Sequence, residues 1–194
     1  MENIESIIYY QFIIGFIFYC AAFVYQYFDY ERLEHEKTGH LELNEEGIII
    51  NHGETIKYEQ LSNINIDAGT YHGQKTPAMS PQSPSPTHRT GLENRISISS
   101  NIIEHDLHFG LESEYHLDSL YLTLFKLIVS DKFKKIDPKK ILNLIPAQFR
   151  SSPEYKTYIV KLIQEKRLNC SDGLLFHGYK SDKEAKELRK KYCG

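Results

Sequence analysis

The hydrophobic rhythm of the chain changes along its length, and each change predicts a different kind of element. From Ser6 to Phe28, 23 consecutive residues carry no charge and are dominated by Ile, Phe, Tyr, Val and Ala. At about 1.5 Å per residue such a run covers a hydrocarbon core of about 30 Å, which predicts a single transmembrane helix over residues 1–30. Its apolar body includes Ile7, Phe12, Ile14, Phe18, Phe23 and Phe28. Tyr9 and Tyr10 at one end, and Tyr25, Tyr27 and Tyr30 at the other, fall where amphipathic rings sit at membrane interfaces. A cleaved signal peptide fits poorly, since Glu2 and Glu5 replace the usual basic start and no small-x-small site follows. Cys20 follows Phe18 and Tyr19, not the small residues that precede a lipidated cysteine. The rival reading is a helix buried in, or docked on, a partner. Arg32 and Lys37 follow the run and nothing basic precedes it, which places the carboxyl side in the cytoplasm.

Residues 40 to 109 switch to a period of two. Short runs at 40–44, 47–51, 55–58, 64–67, 94–99 and 102–109 have ordinary strand length. Alternation puts Leu41 with Leu43, Ile48 with Ile50, Ile64 with Ile66, and Ile96 with Ile98 on one face of each strand. Gly47 and Gly53 stand where positive φ suits a tight turn between antiparallel strands. Residues 71–91, with Pro77, Pro81, Pro84 and Pro86 among Ser, Thr and Gln, predict a disordered insertion. The Ser-Pro steps at Ser80, Ser83 and Ser85 resemble proline-directed phosphorylation or proline-rich ligand sites; a plain polar linker explains them as well.

After Gly110 the period lengthens to that of a helix. Tyr115, Leu117, Leu120, Leu124, Leu127 and Ile128 form one stripe between Ser113 and Ser130. Asp137 with Pro138, and Ser152 with Pro153, each pair an N-cap with a first-turn proline, before helices over 139–145 and 154–167. Ser181 and Glu184 make a capping-box pattern opening a last helix to about Tyr192. Leu168 to Tyr179 is expected to be a connecting loop.

The run from Gly39 to Asp67, GHLELNEEGIIINHGETIKYEQLSNINID, followed by the strands of Asn94 to Phe109 and a helix, resembles the bacterial members of the pleckstrin-homology-like (PH-like) superfamily. The resemblance covers about residues 38–130 and implies a small antiparallel barrel capped by an α-helix. Six strands are evident where the full fold has seven, leaving Ala68 to Gln74 as the place for a seventh. Lipid-binding members carry basic residues around the first hairpin, whereas this turn is Asn44-Glu45-Glu46-Gly47 and repels phosphate. No site residue is therefore carried over from the family. The expected class is α+β: a transmembrane helix, a PH-like barrel over 38–130, and a helical tail over 131–194.

Charge divides the chain. Up to Phe125 there are 6 Lys and Arg against 18 Asp and Glu, and from Lys126 onward 17 against 8, which makes an acidic barrel and a basic tail. Lys134, Lys135, Lys139 and Lys140 form one basic cluster, and Lys186, Arg189, Lys190 and Lys191 another. On a chain held at an inner leaflet each such charge near anionic lipid contributes about 1 kcal/mol, so these eight residues are candidate anionic-lipid contacts. A solvated charged face accounts for them equally. Nucleic-acid binding has no recognition motif or aromatic stacking platform behind it.

The remaining chemistry excludes more than it offers. A mean hydropathy of -0.45 rules out a multi-span transporter. Three cysteines cannot make a disulfide framework, which fits a reducing compartment. His105 and His108, three apart on a strand, point to opposite faces and cannot chelate one ion. Cys170, His177 and Cys193 match no compact zinc spacing. No phosphate loop or nucleophile elbow is present, so no catalytic residue and no cofactor is assigned. The expectation is a single-pass membrane protein whose cytoplasmic PH-like domain serves as a binding or scaffolding module for a protein partner. Two other readings stay open: a small membrane-anchored enzyme, and a subunit of a larger membrane complex in which Gly15 and Ala21-Ala22 allow close helix approach.

Overall fold

A computed structural model describes residues 2–25, 39–53, 55–76, 88–100 and 104–193, with side chains from Tyr9 onward. The chain separates into two units, one formed by residues 1–37 and 75–88 and the other by residues 38–74 and 89–194. The second is α+β. Its order is β1 (Leu41–Leu43), β2 (Gly47–Ile50), β3 (Ile56–Lys57), β4 (Leu61–Asp67), β5 (Asn94–Ser100) and β6 (Glu104–Phe109). Five helices follow: α2 (Glu114–Val129), α3 (Pro138–Asn143), α4 (Pro153–Gln164), α5 (Cys170–His177) and α6 (Asp182–Tyr192).

The first unit contributes α1, Glu2–Tyr25. Here the expectation of a membrane span fails: among the described residues no helix is long and apolar enough to cross a membrane. Glu2 and Glu5 lie in the opening turns of α1. Phe12, Ile14, Phe18 and Phe23 do lie on this helix; the side chain of Ile7 and all of Phe28 fall outside the described residues, as do Arg32 and Lys37, on which the orientation rested.

The six strands form two three-stranded antiparallel sheets, ordered β1-β2-β3 and β4-β5-β6, in place of the expected capped barrel. Residues 68–74 form turns and no seventh strand. In the first sheet Gly47 is required by space: a Cβ there would lie 2.3 Å from the Ile56 carbonyl oxygen on β3. The positive φ values of the β2–β3 turn belong to Asn51 (54°) and His52 (57°), not to Gly53, and the Gly53 N–H closes the turn on Ile50 O at 2.9 Å. Two successive left-handed residues are the geometry that matches strand twist in a hairpin. In the second sheet Ile64 pairs with Ile98 and Ile66 with Ile96, which sets the two same-face pairs opposite one another. The proline-rich insertion is pinned at its base by an antiparallel Lys75–His88 bridge, while residues 77–87, with all three Ser-Pro steps, fall outside the described residues.

One buried cluster joins the sheets to the helices. Ile48, Tyr58, Leu61, Ile64, Ile96 and Ile98 share it with Ile128 of α2, with Phe133 and Ile136, and with Ile141, Ile159 and Leu162. The residues after Asp131 are thus part of the core. Tyr58 shows how: its hydroxyl donates to the carbonyls of Asn44 (2.8 Å) and Gly47 (3.1 Å), and its ring meets Phe133 edge-on at 4.8 Å. Burial pushes the Tyr58 pKa upward, so the hydroxyl keeps its proton.

The end of α2 sets the path of the chain into this core. Asp131 follows the helix with φ 62°; the Asp131 N–H donates to Ile128 O, and that of Lys132 to Leu127 O, a left-handed C-terminal cap made by Asp where Gly is usual. Its carboxylate is 4% exposed and accepts from Tyr158 Oη (3.2 Å), Lys161 Nζ (3.0 Å) and an Arg167 amine (2.6 Å). Burial alone would raise the pKa of this carboxyl, but the hydrogen bonds and charges of Arg167 and Lys161 outweigh it and hold the group below its ordinary value.

Asp131→Ala leaves the buried Tyr158 hydroxyl without its acceptor and Arg167 and Lys161 without their counter-ion, and is expected to lose about 1–3 kcal/mol in urea denaturation followed by circular dichroism. Because the folded pKa lies below the unfolded value of about 3.9, the contribution of Asp131 is complete above that value and is lost as pH falls through the folded pKa. Asp131→Asn should therefore lack the corresponding part of the acid-side decline in stability that the wild-type chain shows.

Candidate functional site

The second sheet has a polar outer face. Cross-strand neighbours there are Asn65 with Ser97, Asp67 with Arg95, and Ser97 with Asp106. Arg95 and Asp106 form an exposed ion pair, and Ser97 Oγ donates to Asp106 at 3.2 Å. The hydrogen bond from Arg95 draws the Asp106 pKa down to about 2. Among the described residues β4 is an edge strand of this sheet, with β5 on one side only.

Along that free edge runs a cleft of about 760 Å³. It is lined on one side by β4 from Asn63 to Ala68 and by Ser97 of β5, and on the other by α3 with the short turn after it, presenting Lys140, Asn143, Ile145 and Arg150. Two hydrogen bonds bracket it. At one end Lys140 Nζ donates to Asn63 Oδ1 at 3.2 Å, and at the other the Tyr121 hydroxyl donates to the Ala68 carbonyl. Burial, then the nearby Asp67 and Asp118, raise the Tyr121 pKa, which keeps this donor protonated. From Asn63 to Ala68 a strand extends about 17 Å, the length of about five extended residues.

Asn94 holds the Ala68 end in place. This buried side chain accepts from the N–H groups of Gly69 and Thr70, both at 3.1 Å, and donates to the carbonyls of Thr70 (3.0 Å) and Gly91 (2.8 Å). Gly91 has φ 76°, and a Cβ on it would lie 2.4 Å from His72 N, so the loop closes only with glycine here.

The structure distributes the predicted basic residues over several elements. Lys134 and Lys135 lie exposed between α2 and α3, and Lys139 forms an ion pair with Asp172 at the start of α5. Lys140 lines the cleft. On α6, Lys186 and Lys190 are exposed, Lys191 lies over the Tyr192 ring, and Arg189 donates to Ser171 Oγ at 3.3 Å. The two clusters are therefore brought together only through the first turn of α5, which Lys139 reaches from α3 and Arg189 from α6. Asn63, Asn65, Tyr121, Asn143 and Arg150 were not singled out by the sequence. The one signal available was the alternation of Asn63, Asn65 and Asp67 opposite the apolar face of β4.

The cysteines depart from expectation. Residues 168–179 were expected as a loop, but Cys170–His177 is a helix capped by Asn169, whose side chain accepts from Asp172 N. That helix brings Cys170 to Cys193 in a disulfide with a Cα separation of 5.8 Å, so the expectation of unpaired cysteines does not hold, and neither sulfur serves as a thiolate ligand. Cys20 is exposed and free. Among the described residues no group of three or more His, Cys, Asp or Glu side chains is placed to hold a metal ion. His105 and His108 face opposite sides of β6, paired with Ile98 and Arg95. No protein-family model, no curated protein and no solved structure matches this chain.

Truncating Asn94 to Ala strands several buried peptide groups at about 1–3 kcal/mol each. The variant should lose about 2–4 kcal/mol of stability, and hydrogen exchange should quicken first at the amides of residues 69–74. Unchanged exchange there would mean that the loop is held by something other than this amide.

Proposed function

We propose that the α+β unit is a binding module that takes an extended peptide segment of a protein partner into the cleft beside β4. The observation that carries this reading is the coincidence of a free strand edge with a bracketed cleft lined by Asn63, Asn65, Asn143, Lys140 and Arg150. An edge strand offers unpaired backbone donors and acceptors, which an added strand satisfies, while alternate side chains reach the walls. Lys140 and Arg150 against the single Asp67 favour an acidic over a basic segment. Kinship with the PH-like superfamily belongs to the same proposal; what supports it is the succession of six antiparallel strands followed directly by α2.

An anionic lipid surface is the weaker reading of the basic residues. Lys139 is already paired with Asp172, Lys140 faces the cleft, and Arg189, Lys190 and Lys191 occupy the last turn of α6, where cations offset the helix dipole.

Selection from a displayed library of random linear peptides against the full chain tests the proposal. Enriched peptides should slow hydrogen exchange at the β4 amides of Asn63–Asp67, and N-methylation at alternate backbone positions of the peptide should weaken binding at least ten-fold. Lys140→Glu should weaken acidic binders several-fold without lowering the melting temperature. Binders that protect another surface, or that tolerate every N-methyl group, would rule out strand addition.

A further inference from the structure

Helix α6 is joined to its surroundings in an unusual way. None of its residues is buried. At its C-terminal end Arg189 donates to Ser171, Tyr192 lies 6.1 Å ring to ring from His177, and the half-buried Cys193 is bonded to Cys170 and packs on the core cluster. The hydrogen bond, the ring contact and the disulfide all end on α5, and α6 also touches α4. The disulfide is thus the covalent tie of a helix with no buried residue, and both its sulfurs belong to residues that are only half-buried.

The chemistry around the bond favours its opening. Cys170 is the first residue of α5, where the aligned N–H groups of the helix stabilise a thiolate. The Arg189 guanidinium reaches the adjacent Ser171, and Lys139 pairs with Asp172, so the acidic residue of this turn is matched by a cation. A cysteine whose thiolate is stabilised is the better leaving group, and stabilising the reduced form makes a disulfide easier to reduce.

We propose that the Cys170–Cys193 bond is a reversible redox latch on α6, opened by a dithiol reductant. A thiolate of the reductant attacks Cys193 Sγ; a new sulfur–sulfur bond forms there, and Cys170 leaves as a thiolate that takes up a proton. The second thiol of the reductant then attacks the mixed disulfide, releasing Cys193, which is protonated in turn. The reductant ends as its own disulfide, and two electrons and two protons have passed to the chain. Reduced, α6 loses its covalent tie and is held only by noncovalent contacts to α4 and α5, the Arg189–Ser171 hydrogen bond and the Tyr192–His177 ring contact among them, and it moves off the face of α4 and α5 that it covers. The latch does not depend on the peptide cleft.

The full chain, equilibrated in glutathione buffers of graded redox ratio and then alkylated, reports the state of the bond by mass. Cys20 supplies an internal reference: one alkylated cysteine when the latch is closed, three when it is open. Interconversion should be reversible within the glutathione range. On reduction, hydrogen exchange at α6 amides should rise at least ten-fold while α4 amides stay unchanged. Cys193→Ser should show the fast α6 exchange in every buffer. A bond that resists excess dithiothreitol under native conditions, α6 exchange that ignores reduction, or loss of protection across α4 as well would each overturn the latch and leave a structural disulfide.

Discussion

The architecture hangs on the carboxylate of Asp131. A charged group this deeply buried is tolerable only when its lone pairs are taken up, and here a phenol, an ammonium and a guanidinium take them. All three donors come from α4 or the turn after it, so a single side chain ties the end of α2 to the whole of α4. The residue does this from a left-handed backbone conformation that also stops α2. Lys166, past α4, has φ 58° and ends its helix in the same manner, which turns Arg167 back towards Asp131. Two helix ends of the same design therefore meet in one ion pair.

What lies between those ends follows from this constraint. Residues 132–136, redirected at Asp131, carry Phe133 and Ile136 into the cluster that holds Tyr58 and the strands. Ile141 and Ile145 complete the approach of α3 to β4, and Phe125 stacks on Phe149 at 4.8 Å to fix the segment beyond. The cleft beside β4 exists because this wall is held near the strand edge without pairing to it. A lysine directed at an exposed edge is a common guard against unwanted strand addition, and Lys140 donates to Asn63 at this edge.

The local grammar of this fold was legible; its long-range chemistry was not. Asp137, Ser152 and Ser181 cap their helices with side-chain hydrogen bonds, as their positions suggested, although Glu184 reaches back to the N–H of Lys180, not to that of Ser181. The isoleucine pairs of β4 and β5 emerged directly from alternation. Helix α5 was missed because it is short and contains Gly173, a poor helix former. A Cβ at that position would lie 2.4 Å from Ile163, so the glycine serves the packing of α5 on α4. The uncharged N-terminal run predicted a span, whereas among the described residues no helix is long and apolar enough to cross a membrane. The cleft joins Lys140 to Asn63 across 77 positions, and the disulfide joins cysteines 23 apart through two helices, separations that no local pattern encodes.

The bridge between Lys75 and His88 has an evolutionary consequence. It seals the base of the proline-rich excursion with main-chain pairing, backed by the Arg89 N–H donating to Gln74 O at 2.8 Å. The strands on either side are insulated from whatever is spliced in or trimmed away there. New sequence can be tried at this point, residue by residue, without putting the rest of the molecule at risk.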